Sequence, residues 1–193
     1  MWKYLMLSIV LAACRADVLG ATGHCQSPDV QVPQTLARQI VQRLIKDETP
    51  DEQEQLIRDV EDRIAGMAGL FCAEAIDLDK DGRQDLLIRL YSSDLPGCGT
   101  ANCSVWAYRR TAEGYELLLE GWGVVPIIAL KTSTNGHLDL KTVERLSGVK
   151  RNITVYKFDS RQYRARECIS RTYVEDDEGK GRGKPKRRRC DLE

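Results

Sequence analysis

The chain predicts an α+β fold in which two N-terminal helices pack on a mostly antiparallel β-meander of about seven strands. Three observations carry that expectation. Apolar residues recur at helical spacing between residues 34 and 67. After residue 103 the pattern changes to period two. The strand-like runs there are separated by Thr111-Ala112-Glu113-Gly114, Thr134-Asn135-Gly136 and Asp159-Ser160-Arg161-Gln162, all rich in turn-forming residues. A chain of 193 residues, less a leader and a charged tail, holds one ordinary core.

Residues 1–13 read as a signal peptide: Lys3 gives a positive start and Leu5 to Leu11 an apolar run too short to anchor in a bilayer. Residues 14–33 are small, polar and Pro-containing, as in a tether. The single domain is expected over residues 34–174. Its first helix shows a stripe of Leu36, Ala37, Ile40, Val41, Leu44 and Ile45. The second starts at Thr49-Pro50-Asp51-Glu52, a capping box with Pro at the first helical position, and carries Leu56, Ile57, Val60, Ile64 and Met67. Extended chain follows from Leu70-Phe71-Cys72. Ser104 to Tyr108 and Tyr115 to Leu119 form one hairpin, and Val124 to Leu130 and His137 to Val143 flank the Asn135-Gly136 turn of the next. Ile153 to Phe158 and Tyr163 to Arg166 close the meander, with Cys168 to Tyr173 as an extension. Residues 175–193 lack a core-forming pattern and are expected to be disordered.

Formal net charge is zero, yet residues 180–189 hold seven Lys and Arg and no acid. Such a run suits anionic lipid, lipopolysaccharide phosphates or peptidoglycan carboxylates, while export argues against nucleic acid.

The most informative stretch is residues 77–85. Asp77, Asp79, Asp81 and Asp85 stand at loop positions one, three, five and nine, Gly82 permits a reversal at six, and the Arg83 carbonyl falls at seven. Carboxylates so crowded repel unless a cation lies among them, so the spacing predicts a structural Ca²⁺ site. Ile88 stands where an EF-hand has its bidentate Glu, and strands rather than helices flank the loop, which leaves Asp85 as the expected bidentate ligand. The D-x-D-x-D-G-x-x-D-L pattern between strands resembles the calcium loop of FG-GAP and VCBS-type repeats found in small exported bacterial proteins. One copy implies the metal role without the propeller. Leu11-Ala12-Ala13-Cys14 likewise resembles a bacterial lipobox. That resemblance implies a lipid-modified Cys14 and, with Arg15 next, the periplasmic face of the outer membrane; ordinary cleavage after Ala16 is the alternative, giving a soluble periplasmic or secreted protein.

Seven cysteines less Cys14 leave six. An exported setting favours disulfides, and Cys98 with Cys103 close a short Gly-bearing loop. Cys72 with Cys168 joins the two ends of a sheet in the expected scheme, leaving Cys25 with Cys190.

Catalytic constellations are sparse. Of two histidines, His24 lies in the tether and His137 beside a turn, and no G-x-S-x-G is present. The expectation is therefore a non-catalytic, envelope-anchored binding module, an inhibitor or immunity protein being one version, presenting Trp106, Tyr108, Tyr115 and Trp122 to a protein or glycan. The alternative is a carboxylate-dependent hydrolase of cell-wall polymer using acids such as Asp139 and Glu144.

Overall fold

The computed structural model describes residues 30–63, 70–92, 95–176 and 181–192. Two helices, α1 (Gln34–Leu44) and α2 (Pro50–Arg63), lead into β1 (Phe71–Ile76), β2 (Asp85–Leu90), β3 (Cys103–Arg110) and β4 (Tyr115–Gly123). Then come β5 (Ile128–Thr134), β6 (His137–Arg145), β7 (Lys150–Phe158), β8 (Tyr163–Glu175) and β9 (Gly181–Arg189). The first four strands form one antiparallel sheet in sequence order and the last five form a second. The fold is thus mostly β with two short helices, which corrects the expected single seven-strand meander beneath two helices.

The chain changes sheets between β4 and β5 for a local reason. Residues Val124 to Ile127 are irregular, and Pro126 has no N–H for a ladder, so the run expected as one strand from Val124 begins only at Ile128. Just before it, Gly123 leaves no room for a side chain: a Cβ there would lie 2.9 Å from the Val125 carbonyl oxygen and 3.3 Å from that of Val143. The missing side chain lets the end of β4 meet β6, and Val124 N–H donates to the Val143 carbonyl at 2.8 Å.

The first sheet is covered on both faces. One face holds Phe71, Leu86, Ile88, Leu90, Trp106 and Tyr108 and packs against Leu36, Ala37, Ile40, Val41 and Val60 of the helices. The other holds Leu87, Val105, Ala107, Leu118 and Leu119 and packs against Leu140, Phe158 and Tyr163 of the second sheet. A bulge at Ala107/Tyr108 allows neighbouring Leu118 and Leu119 to serve the same core. Val32, expected in the tether, is 2% exposed and belongs to the helical core, so the domain starts earlier than residue 34.

Two further expectations are corrected. Residues 181–189 are not disordered: they pair with β8, with Ile169 opposite Arg189 and Arg171 opposite Arg187. Backbone pairing and the Cys168–Cys190 disulfide hold this strand, so it needs no apolar side chains. That disulfide also replaces the expected Cys72–Cys168 and Cys25–Cys190 pairs; Cys72 is disulfide-bonded in its own right. The Cys98–Cys103 bridge is present as expected. Residues 1–29, including His24, Cys25, the signal peptide and the Cys14 lipidation site, lie outside the described residues, as do Ile64 and Met67 of the second helical stripe.

The aromatic hairpin is mostly interior. Trp106 is 0% exposed, meets Phe71 edge-on at 6.0 Å and donates its indole N–H to Glu120, while Tyr108 is 5% exposed. Alternation put Trp106 and Tyr108 on one face correctly, but that face is the one the helices cover. Trp106→Ala should therefore cost about 3–5 kcal/mol in urea unfolding, whereas Trp122→Ala, at a half-exposed ring, should stay within about 0.5 kcal/mol of the parent.

Candidate metal centre at the sheet junction

The loop between β1 and β2 lies where the two sheets meet. Its Leu78 is fully buried in the core between them, and the Leu78 carbonyl accepts from Leu138 N–H of β6 at 2.8 Å. Two left-handed residues, Lys80 (φ 61°) and Gly82 (φ 85°), curl the chain. Backbone N–H groups consequently turn inward: Asp81 and Gly82 donate to the Asp77 carboxylate at 3.1 and 3.0 Å, and Asp81 donates to Asp79 as well at 3.2 Å.

Asp77, Asp79 and Asp85 converge, each offering an oxygen within 4.8 Å of the others. Asp81, expected as a fourth ligand, is not in this group. Its carboxylate takes the Arg83 guanidinium, with Nε at 2.7 Å and Nη2 also in contact, and that bond is the main reason its pKa falls below the usual range. Arg83 thus neutralises one of the crowded acids, a pairing the D-x-D-x-D-G pattern did not reveal.

Asp85 is 1% exposed and accepts Leu78 N–H at 2.9 Å on one oxygen and Arg110 N–H at 2.7 Å on the other. It ties the loop both to its own start and to the end of β3. Burial raises its pKa above the ordinary carboxylate range, the two N–H donors oppose the shift, and the nearby Asp79 and Asp81 charges add to it. Tyr163 registers the same negative field: burial, then Asp85, Asp139 and Asp79, hold its hydroxyl proton well above the ordinary range.

His137 was read from sequence only as a turn-flanking residue, yet it faces this cluster. It is 7% exposed, stacked on Phe158 at 3.6 Å between ring centroids, and edge-on to Tyr163. Its Nδ1 lies 3.3 Å from the Asn135 carbonyl oxygen. Its Nε2 is enclosed without a hydrogen-bond partner among the described residues, 3.9 Å from an Asp79 carboxylate oxygen. With Nδ1–H directed at Asn135, Nε2 presents a lone pair toward a carboxylate, an arrangement that a cation or an ion-bound water between them relieves. The Asn135-Gly136 turn beside His137 was the available signal.

The remaining predicted residues scatter. Asp139 is 3% exposed and accepts the Thr134 hydroxyl at 2.7 Å, a setting closed to a polymer substrate. Tyr115 is half-buried under Arg110, whose guanidinium lies 5.8 Å from the ring centre. Trp122, 48% exposed, borders a shallow groove with Leu146, Arg145 and the Cys98–Cys103 loop. Asn102 holds that groove in shape by exchanging two 2.8 Å hydrogen bonds with the Arg145 backbone. No helix among the described residues is long and apolar enough to cross a membrane. No protein-family model, curated protein or solved structure matches this chain.

In the presence of chelator, Asp85→Ala should lower stability by about 2–4 kcal/mol, because it strands two inward N–H donors. Asp81→Ala should leave the urea midpoint close to wild type. Equal loss in both would show that the loop depends on charge number rather than on the Asp85 tie.

Proposed function

We propose that this protein is an exported, envelope-anchored, non-catalytic binding module whose two sheets are locked together by a structural calcium ion. The observation that carries the reading is the convergence of Asp77, Asp79 and Asp85 beside the unpartnered Nε2 of His137, at the point where both sheets contribute backbone. The majority of oxygen donors suits a hard divalent cation. Asp77, Asp79 and Asp85 would hold it, and its charge would favour the ionised Asp85 against the burial, and secondarily the neighbouring Asp79 and Asp81, that raise its pKa. The disulfides at Cys98–Cys103 and Cys168–Cys190 support an oxidising compartment. Lipid attachment at Cys14 enters from the sequence alone, and palmitate labelling lost in Cys14→Ala is its test.

For an extracellular-type site of about 10⁻⁴ M, a hundredfold excess of calcium adds about 2.7 kcal/mol. That corresponds to a rise of roughly 5–10 °C in the melting temperature of a domain this size. The rise should be present in wild type and absent in Asp79→Ala; equal melting with and without calcium would reject the site. Stabilisation by zinc in place of calcium would reassign it to a mixed Asp79 and His137 centre.

Recognition is proposed for the groove at Trp122 and Leu146, because Trp106 and Tyr108 are spent on the core. The partner class is an envelope protein or glycan. Binding of isolated peptidoglycan or of envelope proteins should be weakened at least tenfold by Trp122→Ala, a change of about 1.4 kcal/mol. Undiminished binding would remove the groove from the proposal.

A further inference from the structure

The register of the second sheet aligns four arginines in one row. Arg145 of β6 is opposite Arg151 of β7, which is opposite Arg171 of β8, which is opposite Arg187 of β9. Directly paired strand residues project to the same face, so the four guanidinium groups share it. At about 4.8 Å per strand the row spans roughly 14 Å. Two residues along, on that same face, stands a second row: Val143, Ile153, Ile169 and Arg189.

This face is the one turned away from the first sheet. Leu140 and Tyr156, paired with each other, point into or border the core between the sheets, and the arginine row has the opposite parity on β6 and β7. Arg145, Arg151 and Arg187 are exposed, and Arg171 is partly so with its Nε enclosed and lacking a partner. None of the four is in an ion pair among the described residues; the side-chain bond found for Arg145 goes to the Ser147 carbonyl. Val143, Ile153 and Ile169 are half-buried beside them.

Like charges set directly opposite weaken a sheet. Cations on an edge strand are a common defence against edge-to-edge aggregation, and that explains β9. It does not explain Arg151 and Arg171, which sit on strands paired along both sides. An external anion that neutralises the row does explain them. A soluble polyanion would need the charges alone, whereas the aliphatic row lying next to them matches the boundary between headgroups and acyl chains. We propose that the outer face of the second sheet seats on an anionic membrane surface, the arginine row taking lipid phosphates and Val143, Ile153 and Ile169 resting against the interface. This contact is independent of the calcium site, and Arg145, at one end of the row, is the residue it shares with the Trp122 groove.

The test is sedimentation of the full chain with vesicles of phosphatidylcholine alone or mixed with phosphatidylglycerol, reading only the increment due to the anionic lipid. Wild type should show that increment and lose it in high salt. Arg151→Gln with Arg171→Gln should weaken it about twenty-five-fold, at about fivefold per cation near an anionic leaflet. Arg38→Gln with Arg58→Gln, on the helices, removes the same charge and should leave it unchanged. Arg151→Lys with Arg171→Lys keeps the charge, retains binding if the proposal holds, and covers the case in which the glutamine pair fails to fold. Equal weakening by both glutamine pairs, or no anionic increment in wild type, would overturn the proposal. Retention on inorganic polyphosphate without vesicle binding would overturn it in favour of a soluble polyanion.

Discussion

The structure depends on keeping both faces of the first sheet dry. Residues Cys103 to Tyr108 of β3 are all buried, so alternate side chains must be covered from opposite directions. Trp106 and Tyr108 require the helices, and Val105 and Ala107 require a second sheet. Neither layer is optional, because a strand of this composition with one open face would expose either an indole and a phenol or a continuous aliphatic strip. The same division recurs on β2, where Leu86, Ile88 and Leu90 face the helices and Leu87 faces the other sheet.

The acidic loop lies at the edge of that second contact, which explains why charge is tolerated there. Leu78 supplies the apolar side chain that the junction needs, while its neighbours Asp77 and Asp79 remain partly open to solvent. Asp85 does the reverse: its carboxylate is enclosed, and two backbone N–H groups compensate it. One tight loop thus combines packing at Leu78 with polar closure at Asp85.

What was legible in the sequence was local. In the first helical stripe Leu36, Ala37, Ile40, Val41 and Ile45 are buried as their period demanded, with Leu44 half-buried against them. Asn135 and Gly136 adopt positive φ, and the short Cys98–Cys103 loop is closed. The convergence of Asp77, Asp79 and Asp85 also follows from spacing within one loop. Apart from Asp81, which pairs with Arg83 two residues on instead of joining the other acids, the main misreadings were non-local. Period two shows which side chains share a face but not what covers it, so Trp106 looked available for a partner. A switch between sheets leaves no mark beyond Pro126 and two glycines. The basic segment has no apolar pattern because its pairing comes from the β8 backbone, and its disulfide partner lies 22 residues back in sequence. His137 reaches the acidic loop only because β6 packs beside it.

The far half of the second sheet follows a different stability rule from the rest. On the face that continues from the core, Leu140 gives way to Thr142, and the partners across the strands are Thr154 with Cys168 and Asn152 with Ser170. These side chains are enclosed or half-buried but bring little apolar surface, and Asn152 and Ser170 each hold a polar atom without a partner among the described residues. Hydrophobic burial therefore fades along β7 and β8 just where like-charged arginines begin to face one another. Ladder hydrogen bonds remain, and the Cys168–Cys190 bridge closes a 22-residue separation across β8 and β9. In the chain-entropy account such a closure contributes about 3 kcal/mol, enough to hold an edge strand that few buried side chains support. Covalent closure here stands in for a core, and it frees the residues of β9 from packing so that every one of them is a cation, glycine or proline.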